Sequence, residues 1–172
     1  MFTLEIFETF ARYNRWMNEK LYTICESMSD EERKRDLGVP FHSIHGTFNH
    51  LLLADRLWLG RFQKNEFHIN TLADELYSDF AELRRERAKT DDAIDAWIST
   101  LSESALSSAF IFHSRSRNQD NTFLLSSVML HFFNHQTHHR GQITAMIETL
   151  GYDCGVTDLL WLPGLEKGVA WE

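Results

Sequence analysis

Cysteine is scarce in this 172-residue chain: Cys25 and Cys154 stand far apart, and neither belongs to a Cys-x-x-Cys motif. That excludes a disulfide framework and fits two reduced thiols filling core space in a cytoplasmic protein. Long apolar runs are missing too. Nothing approaches the ~20 residues needed to cross a bilayer. Met1 leads straight into an amphipathic pattern with no basic leader, so neither a membrane partner nor a signal peptide is expected. Positive charge is in deficit, with 17 Lys and Arg against 25 Asp and Glu and a formal net charge of −8. The short runs Glu32-Arg33-Lys34-Arg35 and Arg84-Arg85-Glu86-Arg87 mix both signs and read as solvated helix faces. A nucleic-acid surface needs a basic stripe to neutralise phosphates, so nucleic acid is not expected as a partner. Repeats, low-complexity stretches and a second domain are also lacking, which leaves one domain over residues 1–172.

What is present is apolar and aromatic. Residues of the hydrophobic class make up 43% of the chain and aromatics 13%, enough for a substantial core. Helical periodicity predicts a first helix from Thr3 to Ser27, with Thr3 as N-cap and Ile6, Phe10, Met17, Leu21 and Ile24 facing inward. Asn14 interrupts that stripe. A turn or helical stub is expected at Ser29-Asp30-Glu31-Glu32, and Gly38-Val39-Pro40 breaks the chain. A second helix spans Ser43 to Gln63, apolar over most of its circumference. Its narrow polar face carries His45, Asn49, Arg56 and Gln63, so His45 is expected in solvent and His50 inside. A third helix is expected from Thr71 to about Ser104, bending near Lys89–Asp92, with Leu72 and Leu76 on its buried face. Residues 109–122 alternate as a short strand or a polar excursion. The fourth helix runs from Phe123 to Leu150, capped by Asn121 or Thr122. After Gly151 an irregular tail carries Leu159, Leu160, Trp161 and Leu162 back onto the domain. Four long amphipathic segments make an all-α four-helix bundle the economical architecture; an extended all-helical dimer is the less economical one.

The fourth helix carries the chemical clue. His131, His135, His138 and His139 are four of the nine histidines, and His135 and His139 fall on the same side as Val128, Met129, Phe132, Ile143 and Ile147. Residues four apart on a helix are neighbours, so this pair can converge on one ion. Spacing alone is weak, since nine histidines in this length would give roughly 0.5 such pairs by chance. Location adds weight, because an unpaired imidazole on a core face costs about 1–3 kcal/mol. A metal site and a hydrogen-bonded core pair both satisfy that demand. His131 and His139 are about 12 Å apart along the axis, too far to share an ion, so a third ligand would come from another helix. His50 is the best placed; His42, His45, His68 and His113 fall on edges or loops.

These residues also carry a resemblance. The run Asn134-His135-Gln136-Thr137-His138-His139-Arg140-Gly141-Gln142 resembles the signature of the DinB/YfiT-like proteins. Phe7-Glu8-Thr9-Phe10-Ala11-Arg12-Tyr13-Asn14-Arg15-Trp16-Met17-Asn18 is similar to their opening helix, and Ser43 to Trp58 to their second. The likeness covers almost the whole chain. It implies an up-down-down-up four-helix bundle, frequently dimeric, holding a divalent ion through His50, His135 and His139. His138 is then peripheral, and Arg140, which projects off the metal-facing side, reads as an ion pair at helix ends or a dimer contact. Gln142 would hydrogen-bond an imidazole, near His135 and His138. Tyr13, Asn14 and Trp16 would line the opening above the ion, with Trp16 and Trp58 as packing residues first.

Three imidazoles leave a coordination position free, as in catalytic rather than structural sites. An all-nitrogen set suits transition metals, zinc or nickel foremost, and disfavours magnesium and calcium. The expectation is a metal-dependent transferase or hydrolase of a small-molecule substrate. Thiol S-transferases of the wider superfamily suggest a low-molecular-weight thiol as cofactor. The competing expectation is a non-catalytic, metal-binding, dimeric stress-response protein. No side-chain general base stands out: Asp55 is polar, yet sits on a packed face where a structural hydrogen bond serves equally.

Overall fold

The computed structural model describes residues 2–65, 67–114 and 118–165. Among the described residues there are five α-helices: α1 (Leu4–Glu26), the stub α2 (Asp30–Lys34), α3 (Ile44–Gln63), α4 (Phe80–Ile98) and α5 (Leu125–Thr149). A hairpin of β1 (Ala109–Ser114) and β2 (Gln119–Leu124) joins α4 to α5, pairing antiparallel in the register Phe110–Phe123 and Phe112–Asn121. α1 and α3 each pack against both α4 and α5, so the two lie diagonally across the bundle.

The core explains the direction of each helix. One apolar cluster gathers Met17, Leu21 and Cys25 of α1, Ile44, Phe48 and Leu52 of α3, Leu83 of α4, and Ile143, Met146 and Ile147 of α5. A second gathers Phe7 and Ala11, Leu59, Ile94 and Trp97, and Met129, Phe132 and Phe133. α1 and α5 run from the second cluster to the first, whereas α3 and α4 run from the first to the second. The bundle is therefore up-down-down-up, as the resemblance implied.

Because α3 and α4 point the same way, the chain between them must return the length of a helix, about 30 Å for twenty residues. Sixteen residues lie between Gln63 and Phe80. Coiled at 1.5 Å per residue they would span only about 24 Å, so the segment has to be extended. This corrects the expected helical start at Thr71. Leu72 is exposed instead of buried, Asp74 closes a turn by accepting from the Asn70 and Thr71 backbone, and Asp79 caps α4 by accepting from Glu82 N at 2.7 Å. α4 then continues through Lys89–Asp92, with Thr90 and Asp91 buried.

Other boundaries shift for local reasons. Thr3 occupies the N-cap of α1, but its side chain makes no cap bond; Glu103 accepts from Leu4 N at 3.0 Å instead. Ile6 is exposed, not inward. Ser29 and Glu32 form a reciprocal capping box on α2. α5 begins after Leu124 without a side-chain cap, because Asn121 and Thr122, expected as caps, belong to β2. Of the polar excursion expected before it, Arg115, Ser116 and Arg117 lie outside the described residues. The tail does return: Leu162 is buried and Thr157 O accepts from the Tyr13 hydroxyl at 2.6 Å, although Leu160 and Trp161 stay exposed.

Candidate metal centre

Between the two apolar clusters each long helix contributes polar side chains at the same level. On the side shared by α1 and α4 they close into a network. Asp55 accepts from Gln136 Nε2 at 2.7 Å and pairs with Arg87, which also lies 2.9 Å from Asp91. Asp91 accepts from Asn14 and Asn18, each at 3.1 Å. Arg140 donates to Asn14 Oδ1 and lies over the Tyr13 ring. All of these except Tyr13 are at most 3% exposed. Two aspartates face two arginines, so the formal charges cancel. Burial pushes the Asp55 carboxyl up to about 6, against the pull of Arg87. Asn14 and Tyr13 are therefore spent here and on the tail rather than above an ion. Arg140 sits buried at the bundle centre, not at the helix end or dimer contact that its projection suggested.

On the seam of α3 and α5, at that level, stand the histidines. One ring nitrogen each from His50, His135 and His139 lies within 4.8 Å of the other two. The ring centroids are 4.4 Å apart for His135 and His139, 4.6 Å for His50 and His139, and 5.4 Å for His50 and His135. His131 is exposed and one turn away, its ring 6.1 Å from that of His135. The i, i+4 spacing on α5 and the inward projection of His50 are what bring the three together.

Hydrogen bonds set which nitrogen His50 and His139 offer. His50 Nδ1 donates to Leu72 O at 2.8 Å, so its Nε2 carries the lone pair; that atom is buried and has no partner. His139 Nδ1 donates to Gln142 Oε1 at 2.8 Å, which turns its Nε2 lone pair to His135 Nε2 at 3.1 Å. The proton of His135 can serve only one such contact, and His50 Nε2 remains unsatisfied at a cost of about 1–3 kcal/mol. A divalent cation accepts all three lone pairs at once. The orphaned nitrogen is the observation by which this pocket fits a metal, and the all-imidazole donors fit a transition ion. Burial holds all three rings below the ordinary imidazole range, and neighbouring imidazoles add to the effect; His135 is held down to about 3. The rings are neutral at pH 7, the form that can bind a metal.

The crossover segment, misread as helix, is what orients His50. Asn49 Oδ1 accepts from Leu76 N and Tyr77 N at 2.8 and 2.9 Å. His45 Nε2 donates to Tyr77 O at 2.9 Å. His45 is thus buried, not solvated: the polar face of α3 clamps this segment and so delivers the Leu72 carbonyl. Phe41 was not anticipated. Its ring stacks on His50 at 3.7 Å and meets His139 edge-on at 5.5 Å, closing that side. Gly46 lets it approach, since a Cβ there would lie 2.1 Å from Phe41 O. Gln142 does hydrogen-bond an imidazole, that of His139, and lies 3.4 Å from His138, one of the two histidines it was expected near. Trp16 packs beside Tyr13 at the core edge, away from the histidines.

Residues 1–170 match a family described as the DinB family. Among curated proteins, "Protein DinB" of Bacillus subtilis (strain 168) is 28% identical over 161 residues, covering 85% of this chain and 87% of that one.

Proposed function

Because this chain belongs to the DinB family, we propose that it is a metal-dependent enzyme in which His50, His135 and His139 hold one divalent transition ion, zinc or nickel. The reaction class is transfer to a low-molecular-weight thiol, or hydrolysis, of a small-molecule substrate. The single observation that carries the reading is the buried, unpartnered His50 Nε2 with one ring nitrogen each of His135 and His139 within 4.8 Å of it. Such a cation supplies Lewis acidity, by which a water or thiol loses its proton near neutral pH.

The protein's own groups do the rest. The Leu72 carbonyl and the Gln142 amide oxygen each take an Nδ1 proton, fixing ring orientation and tautomer. Phe41 shields His50 from water on one face. Asp55 is occupied by Arg87 and Gln136, so it is not the base. The reading takes residues 1–172 as one domain, assembled as a homodimer and acting in the cytoplasm. The charge of −8 argues against a nucleic-acid partner, and no described helix is long and apolar enough to cross a membrane.

Metal analysis of the purified protein beside His50→Ala, His135→Ala and His139→Ala tests the ligand set. About one ion per chain is expected, falling at least tenfold in each variant. Unchanged metal content in any variant removes that residue. Turnover of epoxides, halides or esters, with and without a small thiol, then separates an enzyme from a protein that only binds metal.

A further inference from the structure

Next to the histidines, but not part of them, lies a cavity of about 450 Å³ between the hairpin and the bundle. Its apolar walls are Trp58 of α3, Phe112 of β1, Phe123 of β2 and Val128 of α5; Ser114 and Asn121 of the hairpin and Ser127 and His131 of α5 add a polar rim. We propose that this cavity takes a planar aromatic body, the part of the substrate that the three-histidine site does not bind. The inference rests on the metal reading above for the other half of that substrate.

Three observations point to such an occupant. First, the walls are aromatic and held in place before anything binds. The Phe112 ring stands edge-on to Trp58 at 5.1 Å and stacks with Phe123 at 6.3 Å, while the Arg61 guanidinium covers Trp58 and Phe112 at 4.5 and 5.1 Å. Second, strand alternation turns Phe110 and Phe112 toward the bundle, where Phe110 meets Phe62 at 5.4 Å. Phe123 nevertheless remains 51% exposed, an apolar surface with nothing over it. The volume is that of a small-molecule pocket, too small for a helix or strand of a protein partner. Third, His131 belongs to both places: its ring is 5.4 Å from Trp58 and 6.1 Å from His135. A ligand seated against Trp58 therefore has one end a single helical turn from the histidine cluster.

The test uses the full chain loaded with zinc and two hydroxamic acids, which chelate zinc through the same group and differ only in the tail. Calorimetry should find naphthalene-2-hydroxamic acid binding about thirtyfold more tightly than acetohydroxamic acid. Two exposed positions allow variants that spare the core: Ser127→Trp fills the cavity and Phe123→Ala removes a wall. Ser127→Trp should bring the two hydroxamates to within about twofold, leaving metal content and acetohydroxamate affinity unchanged. Phe123→Ala should lose part of the difference. A naphthyl advantage that survives Ser127→Trp overturns the proposal, as does equal affinity in the unaltered protein. If neither hydroxamate binds because no metal is held, the metal reading fails, and 2-naphthol on the metal-free protein decides the cavity by itself. Naphthol binding blocked by Ser127→Trp would uphold the aromatic pocket, and no binding would overturn it.

Discussion

Two polar clusters cross the same level of one bundle, and they end in opposite states. The Asp55–Arg87–Asp91–Asn14–Asn18 network is closed, with its carboxylates engaged by donors from neighbouring helices and its charges cancelled. The histidine cluster is open: it has three lone pairs, no internal cation and a buried nitrogen with no partner. In the first each carboxylate is engaged and what is left over is donor N–H, on Arg87 and Arg140, whereas in the second what is left over is an acceptor nitrogen, the kind of group a cation can take. Burial of polar groups is therefore no guide to function by itself; what separates the two is the kind of valence left over, donors held among carboxylates in the first and an acceptor lone pair among imidazoles in the second.

The sharpest test of that contrast is stability without metal. Asp55→Ala should cost about 3–5 kcal/mol in urea unfolding of chelator-treated protein, because Arg87 is left buried beside a vacated partner. Replacing Asp55 and Arg87 together with Leu and Met should recover only part of the loss, because Asp91 then keeps its Asn14 and Asn18 donors but loses its guanidinium. His50→Ala under the same conditions should change stability by only about 1 kcal/mol, since it deletes one hydrogen bond together with one orphaned acceptor. Equal losses for Asp55→Ala and His50→Ala would erase the distinction.

Adding metal should reverse the ranking. At a free zinc concentration one hundred times Kd, the unaltered protein should gain about 2.7 kcal/mol. His50→Ala and His135→Ala should gain nothing, while the double Asp55/Arg87 replacement should keep the gain. A smaller effect isolates the oriented imidazole: Gln142→Ala, which frees His139 Nδ1, should weaken metal binding about 10- to 100-fold without changing the number of ions bound. Competition against a chromophoric chelator reads this directly. An unchanged affinity would mean that the Gln142 contact does not set the tautomer of His139.

Much of this was legible in the residues and some was not, for identifiable reasons. Periodicity located α1, α3 and α5 to within a few residues, because their apolar stripes are long. The same periodicity placed His50, His135 and His139 on inward faces, since i, i+4 geometry is local. Periodicity failed at residues 71–79, where Leu72 and Leu76 imitate a helical stripe. What decides that segment is a distance between helix ends, a property of topology that no local window contains. His45 and Asn49 were misplaced in consequence: their polar face looks solvated until the crossover is laid against it. Phe41 had a signal of its own in Gly46, whose missing side chain admits the preceding turn, but that contact is visible only once the turn is folded. The closed network was half-legible. Asn14 stood out as a polar residue in an apolar stripe, while on α4 Asp91 read as part of a bend and Arg87 as part of a solvated face, though both are buried.

The smallest expected effect is the most diagnostic of the pair, because the two clusters titrate against each other. In metal-free protein, burial and the neighbouring imidazoles hold His135 down to about 3, against an ordinary 6.5. Between those values the unfolded chain takes up a proton that the folded one refuses. The contribution is full above pH 6.5 and lost as pH falls through the window. Asp55 behaves in the reverse sense. Its folded carboxyl is raised by burial to about 6, from 3.8, so the folded chain binds the proton first, and this contribution declines as pH rises from 3.8 to 6. Between pH 4 and 6 the histidines therefore make stability climb with pH while Asp55 flattens the climb. Urea unfolding at half-unit steps should give the steepest slope in Asp55→Asn, an intermediate slope in the unaltered protein and the shallowest in His135→Leu. The exposed carboxylates common to all three cancel from the ordering. A slope unchanged in His135→Leu would mean that its imidazole is not held neutral by the bundle, and that the open cluster is more solvated than its unpaired nitrogen implies.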